Sequence, residues 1–135
     1  MSAGSDGERV DISTDADIVR VRQSVRACAL RAALSIIDQT KIITAASELA
    51  RNALVHGGGG IARIALVEEN GRIGVRAAFE DTGPGIADLE RALAGGISTA
   101  GSLGLGLSGS RRLVDLFALD SDARGTRVTV TKWKR

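Results

Sequence analysis

The sequence from Ser47 to Gly60 reads SELARNALVHGGGG. Its Ala, Leu, Glu and Arg residues favour a helix, whereas the run of glycines cannot continue one without a large entropic loss. The stretch therefore predicts a helix that stops sharply at the glycines. Glu48, Asn52 and His56 are spaced four residues apart. Their side chains therefore share one helix face, with neighbouring Cβ atoms roughly 6 Å apart.

The row formed by these three side chains is unsuited to a hydrophobic core. A carboxylate, a carboxamide and an imidazole need polar interaction partners, such as a bound ion, water or a ligand. An amphipathic helix whose polar face is simply hydrated explains this stretch equally well when it is considered alone. The residues expected to face the core lie beside the polar row, and they are Ile42, Ala46, Leu49 and Ala53.

Outside this helix, the composition points to one domain. A chain of 135 residues suffices for one domain and is too short for two ordinary ones. We expect a single domain over residues 9–135, after a disordered tail over residues 1–8 that lacks apolar periodicity. Aromatic residues make up only 2% of the chain, so the core must be built from Ala, Leu, Ile and Val.

Charge and cysteine content restrict the partners and the compartment. A formal charge of +2, with only one Trp and two Phe, argues against nucleic acid as the main partner. Cys28, the sole cysteine, lies in an apolar helical pattern, as expected for a reduced cytosolic thiol. No apolar run has the length of a signal peptide or a membrane span. We therefore expect a cytoplasmic protein that binds neither nucleic acid nor a membrane.

A short strand and two helices are predicted at the start of the chain. Apolar and polar residues alternate from Val10 to Ile12, which indicates a strand. Thr14 or Asp15 then caps a first helix, whose apolar residues repeat at helical spacing. Ser35 or Asp38 starts the second, long helix that ends at the glycine run.

Two hairpins are predicted after the glycine run. An Asn70-Gly71 pair between two strand-like stretches is the strongest short-range hairpin signal, and the return strand delivers Asp81 at its end. A second turn at Arg124-Gly125 joins strands over residues 118–122 and 126–133. These elements predict an α/β two-layer sandwich with a mixed, mostly antiparallel sheet and helices on one face.

The segment between the hairpins is rich in glycine. The turn from Asp81 to Ile86 holds Pro84 between two glycines and suits neither a helix nor a central strand. We expect a short helix over residues 88–93 and a mobile glycine-rich lid over residues 95–109. Helical spacing returns from about Leu107 to Phe117.

One glycine pattern in this segment is misleading. Gly104-x-Gly106-x-x-Gly109 matches the dinucleotide-binding fingerprint in letters only, because neither an apolar strand nor a βαβ unit accompanies it. The Walker A pattern G-x-x-x-x-G-K-[ST] occurs nowhere in the sequence. A glycine-rich segment that opens a helix still offers backbone amides to an anion, which makes phosphate the natural ligand.

Four short motifs occur in a fixed order along the chain. They are Glu48-x-x-x-Asn52, Asp81-x-Gly83-x-Gly85, Gly101-Ser102-Leu103-Gly104-Leu105-Gly106-Leu107 and Gly125-Thr126. In this order and spacing they resemble the N, G1, G2 and G3 boxes of the GHKL ATPases, the superfamily of gyrase, histidine kinases and MutL. The stretches SELARN, EDTGPGI and Ser98-Thr99 are also similar to the RsbT-type switch kinases of the bacterial stressosome. That resemblance runs from near Asp17 to Trp133.

The resemblance implies a Bergerat fold that binds ATP with Mg²⁺. Asp81 would accept a hydrogen bond from the adenine N6 amino group, which the carbonyl of guanine could not supply. Thr126 would support Asp81 through water, and the amide oxygen of Asn52 would be a hard ligand for Mg²⁺ beside the phosphates. Glu48 would be the general base that accepts the proton of an attacking hydroxyl. The glycines that would approach the base or place amides on the phosphates are Gly83, Gly85, Gly101, Gly104 and Gly106.

The roles of one histidine and two arginines are less specific. His56 resembles the histidine that often closes this helix in related anti-sigma kinases, and we interpret it as a capping residue rather than a catalytic one. Arg22 and Arg26 lie off the apolar stripe of the first helix. They form either a hydrated basic face or a surface that meets an acidic partner.

The resemblance also implies partner proteins. The sole histidine lies in the N-box helix, and 135 residues leave no room for a transducer domain, so we expect neither a complete histidine kinase nor a gyrase-like protein. A free-standing serine/threonine kinase remains, which phosphorylates a STAS-domain antagonist and, after release, activates a metal-dependent serine phosphatase. Two alternatives stay open. One is an anti-sigma factor that also sequesters a sigma factor, and the other is a regulatory ATP-binding module without catalysis.

Overall fold

The computed structural model describes residues 7–83 and 107–135. Its strands are β1 (Glu8–Ile12), β2 (Gly60–Glu69), β3 (Arg72–Asp81), β4 (Leu116–Asp122) and β5 (Gly125–Trp133), and its helices are α1 (Asp15–Arg31), α2 (Ile36–Val55) and α3 (Leu107–Leu113). Both long helices and both predicted hairpins are confirmed, but the second turn consists of Ala123 and Arg124 and not of Arg124 and Gly125. Among the described residues, no helix is both long and apolar enough to span a bilayer.

The strands form one sheet in the order β1-β2-β3-β5-β4, and each of its four pairings is antiparallel. The turn between β2 and β3 consists of Asn70 and Gly71, whose φ angles are 53° and 78°. A two-residue hairpin turn of type I′ requires positive φ at both positions, and Asn and Gly tolerate this best. The sheet predicted from the hairpin signals is therefore confirmed in this part of the chain.

One face of the sheet packs against α1 and α2 through an aliphatic core. The strand register places Ile64 opposite Ala77, and Ala77 opposite Val130, so small and branched side chains interlock beneath the helices. Cys28 of α1 is only 3% exposed, and burial raises the pKa of its thiol, as expected for a cysteine packed like a small apolar residue. The predicted apolar row of α2 is buried throughout: Ile42, Ala46, Leu49 and Ala53.

The opposite face of the sheet carries charged pairs between neighbouring strands. Arg127 contacts Glu80 at 2.7 Å, and Arg76 contacts Glu69 at 2.8 Å. The hydrogen bond from Arg76 lowers the pKa of the Glu69 carboxyl. Successive side chains of a strand alternate between faces, so Glu80 on the outer face directs Asp81 toward the face covered by the helices.

Side-chain hydrogen bonds define where both long helices begin. Asp17 Oδ2 accepts hydrogen bonds from the backbone amides of Ser13 and Thr14 at 2.9 and 3.0 Å, and from both of their hydroxyls at 3.2 Å. These bonds hold the pKa of Asp17 below its usual value. At the start of α2, the Ser35 hydroxyl accepts from the Asp38 amide at 3.1 Å, which is the predicted capping role.

A buried lysine links three elements near the end of the sheet. Lys132 of β5 is 5% exposed, and its Nζ lies 3.6 Å from Asp38 Oδ1 and 3.7 Å from Asp115 Oδ1. Asp115 is also paired with Arg135, and its Oδ2 accepts from the Trp133 amide at 2.7 Å. The two carboxylates neutralise the ammonium group where α2, β5 and the connection from α3 to β4 meet.

The ends of the last predicted helix and of the predicted tail require correction, and two other expectations lie wholly or largely beyond the described ranges. The last predicted helix ends at Leu113 and not at Phe117, because Phe117 lies in β4. Glu8, the final residue of the predicted tail, is the first residue of β1 and accepts a hydrogen bond from Ser24 at 2.6 Å. The predicted helix over residues 88–93 and most of the predicted lid fall outside the described residues.

Candidate nucleotide-binding site

Helix α2 presents the polar row that the sequence predicts. Glu48 and Asn52 are half-buried on consecutive turns, and His56 is exposed at the C-cap position with φ −96°. The capping position predicted for His56 is confirmed. Two oxygen-bearing side chains therefore lie one turn apart near the end of the helix, and the imidazole lies beyond them in solvent.

The glycine run closes α2 through its backbone. The carbonyl oxygen of Asn52 accepts the amide of Gly57 at 3.2 Å, and the carbonyl oxygen of Ala53 accepts the amide of Gly59 at 2.8 Å. Between them, Gly58 has a φ of 76°, the left-handed conformation that commonly ends a helix and favours glycine. The chain then enters β2 at Gly60.

Asp81 meets the end of α2 directly. Its Oδ1 accepts the backbone amide of Gly83 at 3.0 Å. On its other side the carboxylate packs against Gly57 so closely that a Cβ atom built there would lie 2.3 Å from Asp81 Cγ. Sequence motifs that are about thirty residues apart thus converge, because the helix stop and the last residue of β3 are in contact.

Thr126 and Ser121 stand beside Asp81 on the same face of the sheet. Thr126 is opposite Asp81 in the pairing of β3 with β5, and Ser121 is opposite Thr126 in the pairing of β4 with β5. The hydroxyls of Thr126 and Ser121 are 2.8 Å apart and share a hydrogen bond. A row of one carboxylate and two hydroxyls therefore crosses three strands.

A cleft of about 440 Å³ opens at this point. Ile12, Gly57, Ile61, Asp81 and Thr82 are among the residues that line it. Its volume falls in the range of roughly 300–1,000 Å³ found for small-molecule sites. Glu80 also lines the cleft, but its side chain pairs with Arg127 on the outer face of the sheet. The apolar side chains beside the Asp81 carboxylate suit a flat base that carries an amino group, since the rings would contact the apolar walls and the amino group would donate to Asp81.

Of the predicted site residues, Asp81 lies beside Gly83 and opposite Thr126, and Glu48 and Asn52 lie on consecutive turns of α2. The other predicted residues, Gly85, Gly101, Gly104 and Gly106, lie outside the described ranges. The roles of all nine residues stay predictions.

Two residues of the site were not predicted. Gly57 was interpreted only as a helix stop, although it packs against the carboxylate of Asp81. Ser121 lies in a strand whose alternation predicts its face, but only the register of β4 against β5 places it opposite Thr126. Neither position carries a local pattern that distinguishes it, because the surroundings of both residues arise from contacts between separate elements.

Sequence comparison supports the motif-based interpretation. Residues 37–135 match the family of histidine kinase-, DNA gyrase B- and HSP90-like ATPases. Serine/threonine-protein kinase RsbT of Bacillus subtilis (strain 168) is 42% identical over 132 residues, which cover 97% of this chain and 99% of RsbT.

Solved structures share the fold. The RsbU and RsbW domains of Rv1364c from Mycobacterium tuberculosis superpose with a TM-score of 0.64 at 23% identity, over 95% of this chain and 33% of that one. The histidine kinase domain of a blue-light-activated kinase from Erythrobacter litoralis superposes with a TM-score of 0.54 at 20% identity, over 87% of this chain and 63% of that one. The family match and the whole-length likeness to RsbT, together with this shared fold, show that the chain belongs to the histidine kinase-, DNA gyrase B- and HSP90-like ATPases.

Proposed function

We propose that this protein is an ATP-dependent serine/threonine kinase that phosphorylates a STAS-domain antagonist and, once released, activates a metal-dependent serine phosphatase. The enzyme class, a protein serine/threonine kinase, follows from the 42% identity to RsbT over nearly the whole chain. The observation that carries the assignment of the site is the contact between Gly57 and Asp81. It joins the helix that bears Glu48 and Asn52 to the carboxylate proposed to bind adenine.

Asp81 recognises the base in this proposal. An ionised carboxylate only accepts hydrogen bonds, so it favours the amino group at position 6 of adenine and disfavours the carbonyl oxygen of guanine. The amide of Gly83 already holds Oδ1, which orients the group before a base arrives. Preorganisation of this kind strengthens binding, because little side-chain freedom is lost when the ligand binds.

The donor set near the end of α2 fits Mg²⁺. Asn52 offers a carboxamide oxygen, and hard oxygen ligands are those that Mg²⁺ prefers. The ion, when bound with ATP, would neutralise charge on the phosphate oxygens. Asn52 would hold the ion, whereas Glu48 on the preceding turn would stay available for proton transfer.

Glu48 accepts a proton in the proposed reaction. The hydroxyl oxygen of a serine or threonine on the partner attacks the γ-phosphorus, the bond from that phosphorus to the bridging oxygen of ADP breaks, and the hydroxyl proton passes to Glu48. A positioned general base contributes a factor of about 10² to 10⁴ to such a rate. The rigid helix around Glu48 supplies the positioning, since Leu49 beside it is 2% exposed and anchors this turn in the core.

Phosphoryl transfer to a partner is the direct test. The chain is incubated with ATP labelled at the γ-phosphate, Mg²⁺ and purified STAS-domain proteins encoded by neighbouring genes, and the labelled residue is identified. We expect label on serine or threonine. Glu48→Ala should bind ATP with the affinity of the wild type and transfer phosphate at least about a hundredfold more slowly. Glu68→Ala is the matched control, because Glu68 is exposed near the far end of β2.

The same experiment separates the alternatives. Co-purification with a sigma factor, together with transfer to a STAS protein, indicates the anti-sigma factor. ATP binding without transfer to any partner indicates a regulatory module. Transfer by Glu48→Ala at the wild-type rate means that another group accepts the proton.

A further inference from the structure

We propose that Gly57 fixes the position of the Asp81 carboxylate and thereby sets the preference of the site for a base with an exocyclic amino group. The inference rests on the proposed function, because it uses the assignment of Asp81 to the adenine amino group. It adds a positioning residue from the helix stop, outside the motifs that identify the family.

The contact between Gly57 and Asp81 leaves no room for a side chain. A Cβ atom at position 57 would lie 2.3 Å from Cγ, 2.5 Å from Cβ and 2.6 Å from Oδ2 of Asp81. Real Cβ atoms essentially never approach other heavy atoms closer than 3.0 Å. Any other residue at this position must therefore move the carboxylate or the end of α2.

The carboxylate is restrained on two sides. Gly83 donates its amide to Oδ1, while Gly57 packs against Cγ and Oδ2. Gly83 in turn lies against Gly57, since a Cβ at position 83 would be 2.7 Å from the Cα of Gly57. Gly57 thus contacts both the carboxylate and the residue that holds its other oxygen.

Two further glycines flank the backbone of this strand end. A Cβ at Gly60 would lie 2.1 Å from the carbonyl oxygen of Glu80, and one at Gly125 would lie 2.1 Å from the carbonyl oxygen of Asp81. Substitutions there collide with the backbone and disturb the sheet itself. Of these positions, Gly57 is the one whose added methyl group meets the Asp81 side chain.

An alanine at position 57 is the smallest substitution that tests this effect. The φ of Gly57 lies outside the left-handed region, so alanine introduces no backbone strain there. The methyl group displaces the carboxylate, and the hydrogen bond to an amino group on the base is weakened. Contacts that the site makes with the sugar and the phosphates do not depend on that hydrogen bond.

The test compares ATP with purine riboside triphosphate, which lacks the 6-amino group. Calorimetry on the wild type should show tighter binding of ATP. In Gly57→Ala the ratio of the two affinities should fall about tenfold or more, the value of a hydrogen bond to a charged group. Gly71→Asn is the matched control and should keep the wild-type ratio, because Gly71 lies in the turn between β2 and β3 and not in the cleft. A Cβ at position 71 meets nothing within 4 Å, and asparagine tolerates the φ of 78°.

The outcomes distinguish this inference from the proposed function. A wild-type preference for ATP that survives in Gly57→Ala overturns the inference alone, even if both nucleotides bind more weakly. A wild type without any preference overturns the assignment of Asp81 to adenine and the inference with it.

A second measurement needs no nucleotide. Gly57→Ala should lower the urea midpoint of unfolding when it is the only substitution. The decrease should be much smaller in an Asp81→Gly background, where the colliding side chain is absent. If Gly57→Ala alone does not fold, a double variant that does fold supports the inference in the same way. An equal loss in both backgrounds means that the methyl group does not meet Asp81, and the inference is then wrong.

Discussion

The adjacent carboxylates of Glu80 and Asp81 show how the position of a residue in a strand determines what it can contact. Glu80 and Asp81 have the same charge, yet Glu80 pairs with Arg127 on the outer face while Asp81 contacts Gly57 beneath the helices. Alternation along β3 separates them. The motif alone singled out Asp81 in the sequence, and the strand explains why its neighbour cannot replace it.

Asp81→Asn should lose measurable ATP binding, because the amide can turn a donor toward the base and the anchoring charge is removed. Calorimetry with ATP and Mg²⁺ measures this directly. Glu80→Gln is the matched control: its ion pair with Arg127 is exposed, and such pairs contribute about 0–1 kcal/mol to stability. Unchanged ATP affinity in Asp81→Asn would refute the adenine role.

The sequence predicts site residues that belong to short motifs of polar side chains. It does not predict residues that reach the site only through contacts between separate elements. Asn52 and Asp81 belong to short motifs of polar side chains, so the sequence alone indicates them. Gly57 lies beside Asp81 only because the end of α2 packs against the end of β3, and Ser121 lies beside Thr126 only because β4 pairs with β5. No local pattern contains that register.

Among the elements, α1 depends most clearly on one ionised side chain. Asp17 accepts four hydrogen bonds from Ser13 and Thr14 at the helix start, which lower its pKa. Because the pKa of Asp17 is lower in the folded state, its carboxylate stabilises the folded protein fully above the ordinary pKa of 3.8. This stabilisation is lost as the pH falls through the lowered pKa of the folded state.

Asp17→Asn should therefore reduce the free energy of unfolding at neutral pH, and the difference from the wild type should shrink below pH 3.8. Urea unfolding of both proteins at neutral pH and below pH 3.8 measures this difference. Asp15→Asn, an exposed change in the same helical turn, is the control and should have a smaller effect. A difference that stays constant with pH contradicts a role for the ionised carboxylate.

Element boundaries were predictable where local chemistry sets them. The Asn70-Gly71 turn and the glycine stop of α2 are local signals, and both lie where expected. The end of α3 was placed too late because the apolar spacing continues to Phe117. The Asp115 amide instead donates to the carbonyl oxygen of Thr131 at 2.9 Å, so pairing with β5 takes over two residues after the helix.

For the molecule as a whole, the outward face of α1 is the surface that could bind an acidic partner protein. Arg22 and Arg26 are both exposed there, and α1 packs on the sheet through its other face. Charges on such a surface steer and orient a partner of opposite sign.

If this face meets an acidic surface, Arg22→Glu should weaken binding of the proposed STAS-domain or phosphatase partner by about tenfold or more and leave ATP affinity unchanged, since like charges would then face each other. Titration of the labelled partner measures both the affinity and its salt dependence. Arg63→Glu, the same change on the exposed outer sheet face, should have no such effect. If the Arg22→Glu complex is as tight as that of the wild type, the arginines form a hydrated face only.

The buried Lys132 restricts how this chain can change over evolutionary time. Loss of the lysine leaves two carboxylates in the interior without their shared cation, and loss of one carboxylate removes one of the lysine's two counter-charges. Joint replacement of the whole group by apolar residues is far less harmful. Single changes at positions 38, 115 and 132 are therefore costly. Descendants should inherit the trio intact or exchange it together, which couples position 38 to two positions near the other end of the gene.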